Sequence, residues 1–415
     1  MKILISCYAC SPYRGSEPGM GWNFVHELSR KHELHVIVEG EKFKGDIDKY
    51  YNEHPEEKGT IHFYFLNKVR HRTLRKIWPP SYYWFYNEWQ KKAIILAKEL
   101  DAKEHFDIVH QLNMVCFREP GYLWTLNKPF VWGPIGGFCN SPWRLLSTMG
   151  FYGMVYYGMR NLLNLWQMKT ICRVKKAVKK SSQLIAATNE DKIALKRQFG
   201  KDAIIIPEVG YEDNPTGVVC QRKDGEDLRI CWSGQHTPGK ALNILLSALA
   251  IEKRSDVELH VIGKGQKTQE WMSMAERIGL KKIVWHGWVE RCVALQIMQS
   301  CHVLCITSLK DLTSTVLLEA LSYGMPVIAL DHCGFSNVIT EKCGIKIAIK
   351  NKKQVVADIA KAISKLADDE MFRYKLSEGA RERAMEFNWE DKAKLITQIY
   401  EAVSIQNKKD DMLLS

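Results

Sequence analysis

A chain of 415 residues, 46% hydrophobic and 26% charged, has the apolar content for two or three packed domains, which excludes a disordered or low-complexity protein. Its net charge of +12 sits at the front: residues 1–212 hold 31 basic against 21 acidic side chains, leaving 28 against 26 for the rest. No run of about 18 uncharged apolar residues is present to span a bilayer. The apolar run in MKILISCYACSPYRGSEPG is too short for a secretory leader, so a cytoplasmic protein with reduced cysteines is expected.

In chain order, MKILIS reads as a strand, SPYRGSEPGMGWN as a Gly-rich loop, NFVHELSRK as a helix and LHVIVEG as a second strand. This alternation predicts a doubly wound α/β domain. DIVHQL and KPFVWGPIGG are further strands that run into polar or Gly-rich loops, where open parallel sheets place their ligands, and SQLIAATN and AIIIPEVG complete the lobe. Residues 212–228, EDNPTGVVCQRKDGEDL, are rich in turn formers and predict a linker. A second alternation follows: strands LRICWSG, ELHVIG, IVWHGWV, HVLCIT and PVIAL, with helices ALNILLSALA, QEWMSMAERIG and CVALQIMQS between them. Three periodic helices close the chain, and the last is long enough to cross back to the first lobe, with the tail NKKDDMLLS expected to fray. The expected domains are therefore 1–212, 213–388, and 389–415 as the returning helix and tail.

Two segments carry candidate chemistry. In SGQHTPGKAL, Thr237 is placed to cap a helix that opens with Pro238, which sets Lys240 in its first turn. A cation there opposes the helix dipole unless an anion arrives, so the segment is either a solvated surface turn or a phosphate site. In DLTSTVLLEALSYGMPVIAL, Val316, Leu317, Leu318, Ala320 and Leu321 predict a helix ended by Gly324 and Pro326. Ser314 and Thr315 lie at its start, so their backbone N–H groups offer a second anion site. Asp311 precedes it, and Glu319 lies four residues after Thr315 on the same face, either salt-bridged or open to a ligand's hydroxyls.

The spacing of Asp311 and Glu319, followed by small-x-Gly-x-Pro-Val-Ile, resembles the EX7E segment of retaining GT-B glycosyltransferases of family 4. RGSEPGMG, IIPEVGYED, GQHTPGK, VIGKGQ, HGWV and FNWEDKAKLITQIY follow in the family's order, so the resemblance covers nearly the whole chain. It implies two Rossmann-like domains facing across a cleft, with the C-terminal helix returning to the first. It implies transfer of a sugar from a nucleoside diphosphate sugar, which is a co-substrate, with no cofactor. By the same likeness Asp311 would contact the donor sugar, Glu319 the ribose, and Lys240 the diphosphate. Gly15, Gly234, Gln235, His236, and the amides of Ser314, Thr315 and Val316 would line the diphosphate, with Val289 beside the base.

Three positions depart from the family: Asp311 replaces a Glu, Gln235 replaces an Arg, and the loop GPIGG lacks the usual catalytic His, which leaves His110 at the end of DIVH as the nearest candidate base or, equally, a core or loop histidine. These departures keep open a non-catalytic scaffold, or an epimerase or phosphorylase on the same fold. No Cys or His spacing resembles a zinc site. Cys7 and Cys10 form a CxxC without the helix start that redox chemistry needs, and the Asp46-x-Asp48 pair lies in a polar stretch that presents it to no metal.

From Pro120 to Asn189 no acidic residue occurs, while Lys128, Arg144, Arg160, Lys169, Arg173, Lys175, Lys176, Lys179 and Lys180 are basic. Residues 68–90 and 142–180 also interleave Trp, Tyr and Phe with Lys and Arg. Such a pattern suits an anionic membrane surface, a packed core with a solvated basic face, or single-stranded nucleic acid. The membrane is the expected partner and nucleic acid is not. Together with a glycan or lipid-linked acceptor, as the resemblance implies, this places the protein peripherally on the inner membrane face.

Overall fold

The computed structural model describes residues 1–69, 72–78, 81–211 and 220–414. The chain forms two compact units. The first contains Met1–Phe138, Gln167–Gly210 and the chain from Trp389 onward; the second contains Cys139–Trp166 and Tyr211–Asn388.

In the first unit seven strands pair in parallel: β1 (Lys2–Cys7), β2 (Glu33–Glu39), β3 (Ile61–Leu66), β4 (Ile108–Asn113), β5 (Phe130–Ile135), β6 (Gln183–Ala186) and β7 (Ile204–Ile205). Their order is β3-β2-β1-β4-β5-β6-β7, with the reversal beside β1 that marks a doubly wound sheet. Both faces are covered, which is why ILIS and HVIV read as unbroken apolar runs. The edge strand β3, IHFYFL, is half exposed and its aromatics stack within the strand and on Trp22; it was absent from the sequence expectation.

The last helix, Trp389–Leu414, belongs to this unit. Trp389, Ala393, Ile396, Ile399, Tyr400 and Val403 recur at helical spacing and are buried in the first unit's core. Trp389 packs edge-on to Phe24, and Thr397 Oγ1 lies 3.0 Å from His32 Nε2. The helix continues to Leu414 through the tail expected to fray, residues 407–414, which contain no Gly or Pro.

The second unit is a six-stranded parallel sheet in the order β10-β9-β8-β11-β12-β13. Its strands are β8 (Leu228–Ser233), β9 (Val257–Ile262), β10 (Ile283–Gly287), β11 (Val303–Ile306), β12 (Val327–Leu330) and β13 (Gly344–Ile347), the last missed by sequence because Lys346 interrupts its apolar run. Cys139–Trp166, which sequence placed in the first domain, groups here instead. Leu145, Leu146 and Met149 are buried with Trp232, Leu242 and Ile359, so apolar burial fixes that membership. Of the linker expected at 212–228, residues 212–219 lie outside the described residues, as do Arg70, His71, Pro79 and Pro80 of the basic aromatic stretch 68–90. Among the described residues no helix is long and apolar enough to cross a membrane.

Candidate functional site

The second unit brings together the two segments singled out by sequence. Residues Pro238–Lys240 form a single 3₁₀ turn, Ala241 adopts a left-handed conformation at φ 48°, and the α-helix begins only at Leu242. Lys240 therefore lies on a turn before the helix and not in its first turn, and Thr237 makes no side-chain cap. The turn is anchored from behind. Thr307, just past β11, donates its hydroxyl to the Lys240 carbonyl at 2.9 Å and accepts Trp232 Nε1–H at 3.1 Å, while the Leu309 N–H reaches the Gly239 carbonyl at 2.7 Å.

With its backbone held, Lys240 directs Nζ to Asp311 Oδ2 at 2.5 Å. Both side chains are about one quarter exposed or less, at 24% and 21%. The second oxygen of Asp311 accepts the Leu312 N–H at 3.1 Å, which orients the carboxylate. Three residues on, Ser314 stands as N-cap in extended conformation without a side-chain cap bond, and the helix Thr315–Ser322 starts. Leu317, Leu318, Ala320 and Leu321 are buried beneath it, which leaves Thr315, Val316 and Glu319 partly exposed. Its end is fixed by Gly324 at φ 66°, whose N–H bonds the Leu321 carbonyl while the Met325 N–H bonds that of Ala320, a Schellman closure.

Glu319 is not open, because Arg291 Nη2 donates to Glu319 Oε1 at 2.7 Å. Arg291 begins the helix Arg291–Gln299 and is 73% exposed, against 15% for Glu319. An exposed bridge of this kind contributes little stability and exchanges readily for another partner. Sequence reasoning missed Arg291, since nothing in RCVALQIMQS marks it as reaching Glu319.

Gly234 leads into the same turn. Gly263 packs against it so closely that a Cβ at Gly263 would lie 2.1 Å from the Gly234 carbonyl oxygen, so both the contact and its φ of 114° require glycine. Gln235 is exposed and Val289 half-buried just after β10. His236 departs from expectation. It is fully buried, with Nδ1 2.8 Å from Thr268 Oγ1 and its ring among Trp232, Trp271 and Trp285, and burial pushes its pKa down to about 4. A neutral core histidine supplies no charge to an anion. A cavity of about 460 Å³ in this unit, lined by Ala248, Arg254, Lys281 and Ala360 among others, shares none of the site residues.

His110 and Gly15 belong to the first unit. His110 is fully buried, with Nδ1 2.6 Å from the Tyr400 hydroxyl and Nε2 2.7 Å from the Gly133 carbonyl oxygen. Both ring nitrogens are engaged and burial lowers its pKa to about 4, so it fixes the C-terminal helix and has no position from which to act as a general base. Gly15 caps the helix Ser16–Ser29, after a loop held by Arg14 Nε and Ser11 Oγ, each 2.6 Å from Asp46 Oδ2. Asp46 is thus a structural partner of this loop. Cys7 and Cys10 are both fully buried, and burial raises the Cys7 thiol well above its usual range, which opposes redox exchange.

His32, His110, His236 and His302 are all buried and held near pKa 4 mainly by desolvation. In the unfolded chain each protonates near pH 6.5, so stability present above that pH is lost as pH falls toward 4. Each contributes a slope approaching about 1.4 kcal/mol per pH unit once the unfolded form is protonated. Urea unfolding midpoints should therefore drop between pH 6.5 and 5, before most carboxylates titrate; midpoints that stay level would contradict this burial.

Comparison with known proteins agrees with the architecture. Residues 220–383, within the second unit, match the family described as "Glycosyl transferases group 1". The phosphatidylinositol N-acetylglucosaminyltransferase GPI3 subunit of Saccharomyces cerevisiae is 23% identical over 286 residues, 64% of this chain and 61% of that protein, so the match spans about three fifths of the relative's length. Among solved structures, Anabaena Alr3699/HepE, determined in complex with UDP, superimposes with a TM-score of 0.62 at 16% identity over 97% of this chain and all of its own. The lipopolysaccharide outer core galactosyltransferase WaaB gives a TM-score of 0.66 at 14% identity, covering 98% of this chain and all of WaaB. The chain therefore has the GT-B architecture of two parallel-sheet Rossmann-like domains, and residues 220–383 of its second unit match the glycosyl transferase group 1 family.

Proposed function

We propose that the protein is a retaining glycosyltransferase that moves a hexosyl group from a nucleoside diphosphate sugar to a glycan or lipid-linked acceptor in cell-surface polysaccharide biosynthesis. The observation that carries this reading is the Lys240–Asp311 pair at 2.5 Å, set in the loop before the helix Thr315–Ser322. When the anomeric bond breaks, negative charge grows on the diphosphate and positive charge on the sugar ring. The ammonium of Lys240 and the N–H groups of Ser314, Thr315 and Val316 suit the first charge, and they do so without a metal. A diphosphate arriving at Lys240 takes over the ammonium and leaves the Asp311 carboxylate to accept hydrogen bonds from the sugar hydroxyls. Glu319 grips the ribose by the same exchange, leaving Arg291 to solvent. The UDP complex of Anabaena Alr3699/HepE and the name of the yeast relative support this donor and acceptor chemistry. Incubation with uridine, guanosine and adenosine diphosphate sugars should release one nucleoside diphosphate and, with acceptor, a product of unchanged anomeric configuration. Absence of any turnover across the panel and across lipid-linked acceptors would favour the scaffold alternative.

The acceptor is proposed to be met at an anionic membrane surface on the cytoplasmic side. The helix Gly150–Thr170 supports this, because Phe151, Tyr152, Met159 and Trp166 on it are 70%, 88%, 65% and 61% exposed. Large apolar side chains left in water beside Arg160 and Lys169 suit headgroup depth. Trp78 and Trp84 in the other stretch are also exposed. The protein should sediment with vesicles containing anionic phospholipid at low salt, be released by high salt, and bind less after Tyr152→Ser with Trp166→Ser. Equal recovery with neutral vesicles would count against it.

A further inference from the structure

Cys139, His332 and Cys333 meet in the second unit although 193 residues separate the first from the others. Cys139 Sγ lies 3.3 Å from His332 Nε2 and 3.3 Å from Cys333 Sγ, and one donor atom from each residue falls within 4.8 Å of the other two. All three side chains are buried, at 6%, 8% and 0% exposure. Consecutive residues of an extended chain point apart, yet here His332 and Cys333 converge. The backbone achieves this by turning sharply at Cys333, which holds φ 54° although it is not glycine.

We propose that these residues form a site for a thiophilic d¹⁰ cation, Zn²⁺ in particular. Zinc–sulfur and zinc–nitrogen bonds of about 2.3 and 2.0–2.1 Å imply donor separations of roughly 3.5–3.8 Å in a tetrahedron, so the two 3.3 Å spacings at Cys139 need to widen by a few tenths of an ångström and the His332–Cys333 pair, within 4.8 Å, to settle in the same range. Binding takes one Zn²⁺, two thiols and one neutral imidazole to a bis-thiolate complex and releases two protons to solvent. The two thiolates cancel the ion's charge, which suits a buried setting, and water completes the fourth position. No redox partner is needed. The site is separate from the donor chemistry and does not depend on it, but it has a structural neighbour there. Lys310 Nζ donates to the Cys139 carbonyl, and the Gly334 N–H bonds the Leu312 carbonyl at 3.2 Å. A bound ion would thus pin the segments at 139 and 332–334 against the loop that presents Asp311.

The test is titration of the reduced, chelator-treated full chain with Co²⁺ as a spectroscopic probe, followed by Zn²⁺. One equivalent should produce thiolate-to-cobalt charge-transfer absorption that Zn²⁺ abolishes, and Cys139→Ser and Cys333→Ser should each weaken binding at least about 100-fold. A variant that fails to fold is bypassed by alkylating the native chain, where Zn²⁺ should protect Cys139 and Cys333 in peptide maps. Overturning results are no charge-transfer band, a band unchanged in both variants with no protection, or a Cys139–Cys333 disulfide formed in air that Zn²⁺ does not prevent.

Discussion

Lys240→Ala is expected to lower turnover at least about 100-fold, and Asp311→Asn by a similar factor, with the fold intact. A hundredfold corresponds to about 2.7 kcal/mol of barrier, the cost of losing one preorganised charge contact. Removal of Lys240 strips the diphosphate of its cation and leaves the Asp311 carboxylate, now unpaired, facing an anion. Asp311→Asn keeps the shape and the bond from the Leu312 N–H but removes the charge that balances the ring cation. The pair itself is only partly buried, so its loss should cost little stability and unfolding midpoints should move slightly. Lys240→Arg, which retains the cation, should recover part of the rate. Turnover of donor by purified variants checks this, and undiminished rates in both Ala and Asn variants would remove the mechanism.

Glu319→Ala should instead raise the donor KM by about 10- to 100-fold and change kcat little. A charge-assisted hydrogen bond to a ribose hydroxyl is worth roughly 1.5–3 kcal/mol in binding, and the ribose is far from the bond that breaks. Arg291→Ala distinguishes this from a structural role. If Glu319 mattered only through its bridge, both variants would behave alike. If Glu319 holds the donor, removal of an exposed arginine should leave KM within about threefold or lower it, because the carboxylate no longer has a competitor. Equal effects in the two variants would contradict the ribose assignment.

Much of this was legible in the sequence because burial writes itself as period. Strands covered on both faces appear as apolar runs, and Trp389, Ala393, Ile396 and Tyr400 announce the face of the returning helix. What failed to show was set by contacts distant in the chain. Lys240 looked like a first-turn residue because Thr-Pro is a common helix opening, but Ala241 breaks the backbone there. His236 looked available to an anion and His110 read equally as a base or a core histidine, whereas tryptophans around one and Tyr400 beside the other make both core residues. Arg291 reaches Glu319 from another helix, and Cys139 meets His332 and Cys333 across 193 residues of chain. Spacing within a motif cannot encode such meetings.

Calorimetric titration of uridine, guanosine and adenosine diphosphates into the wild-type protein and Lys240→Ala addresses the diphosphate site most directly. One nucleotide should bind the wild type saturably at one per chain and bind the variant at least about tenfold more weakly. If none of the three binds, or if the variant binds as tightly as the wild type, then the turn at Lys240 is not where a pyrophosphate is held.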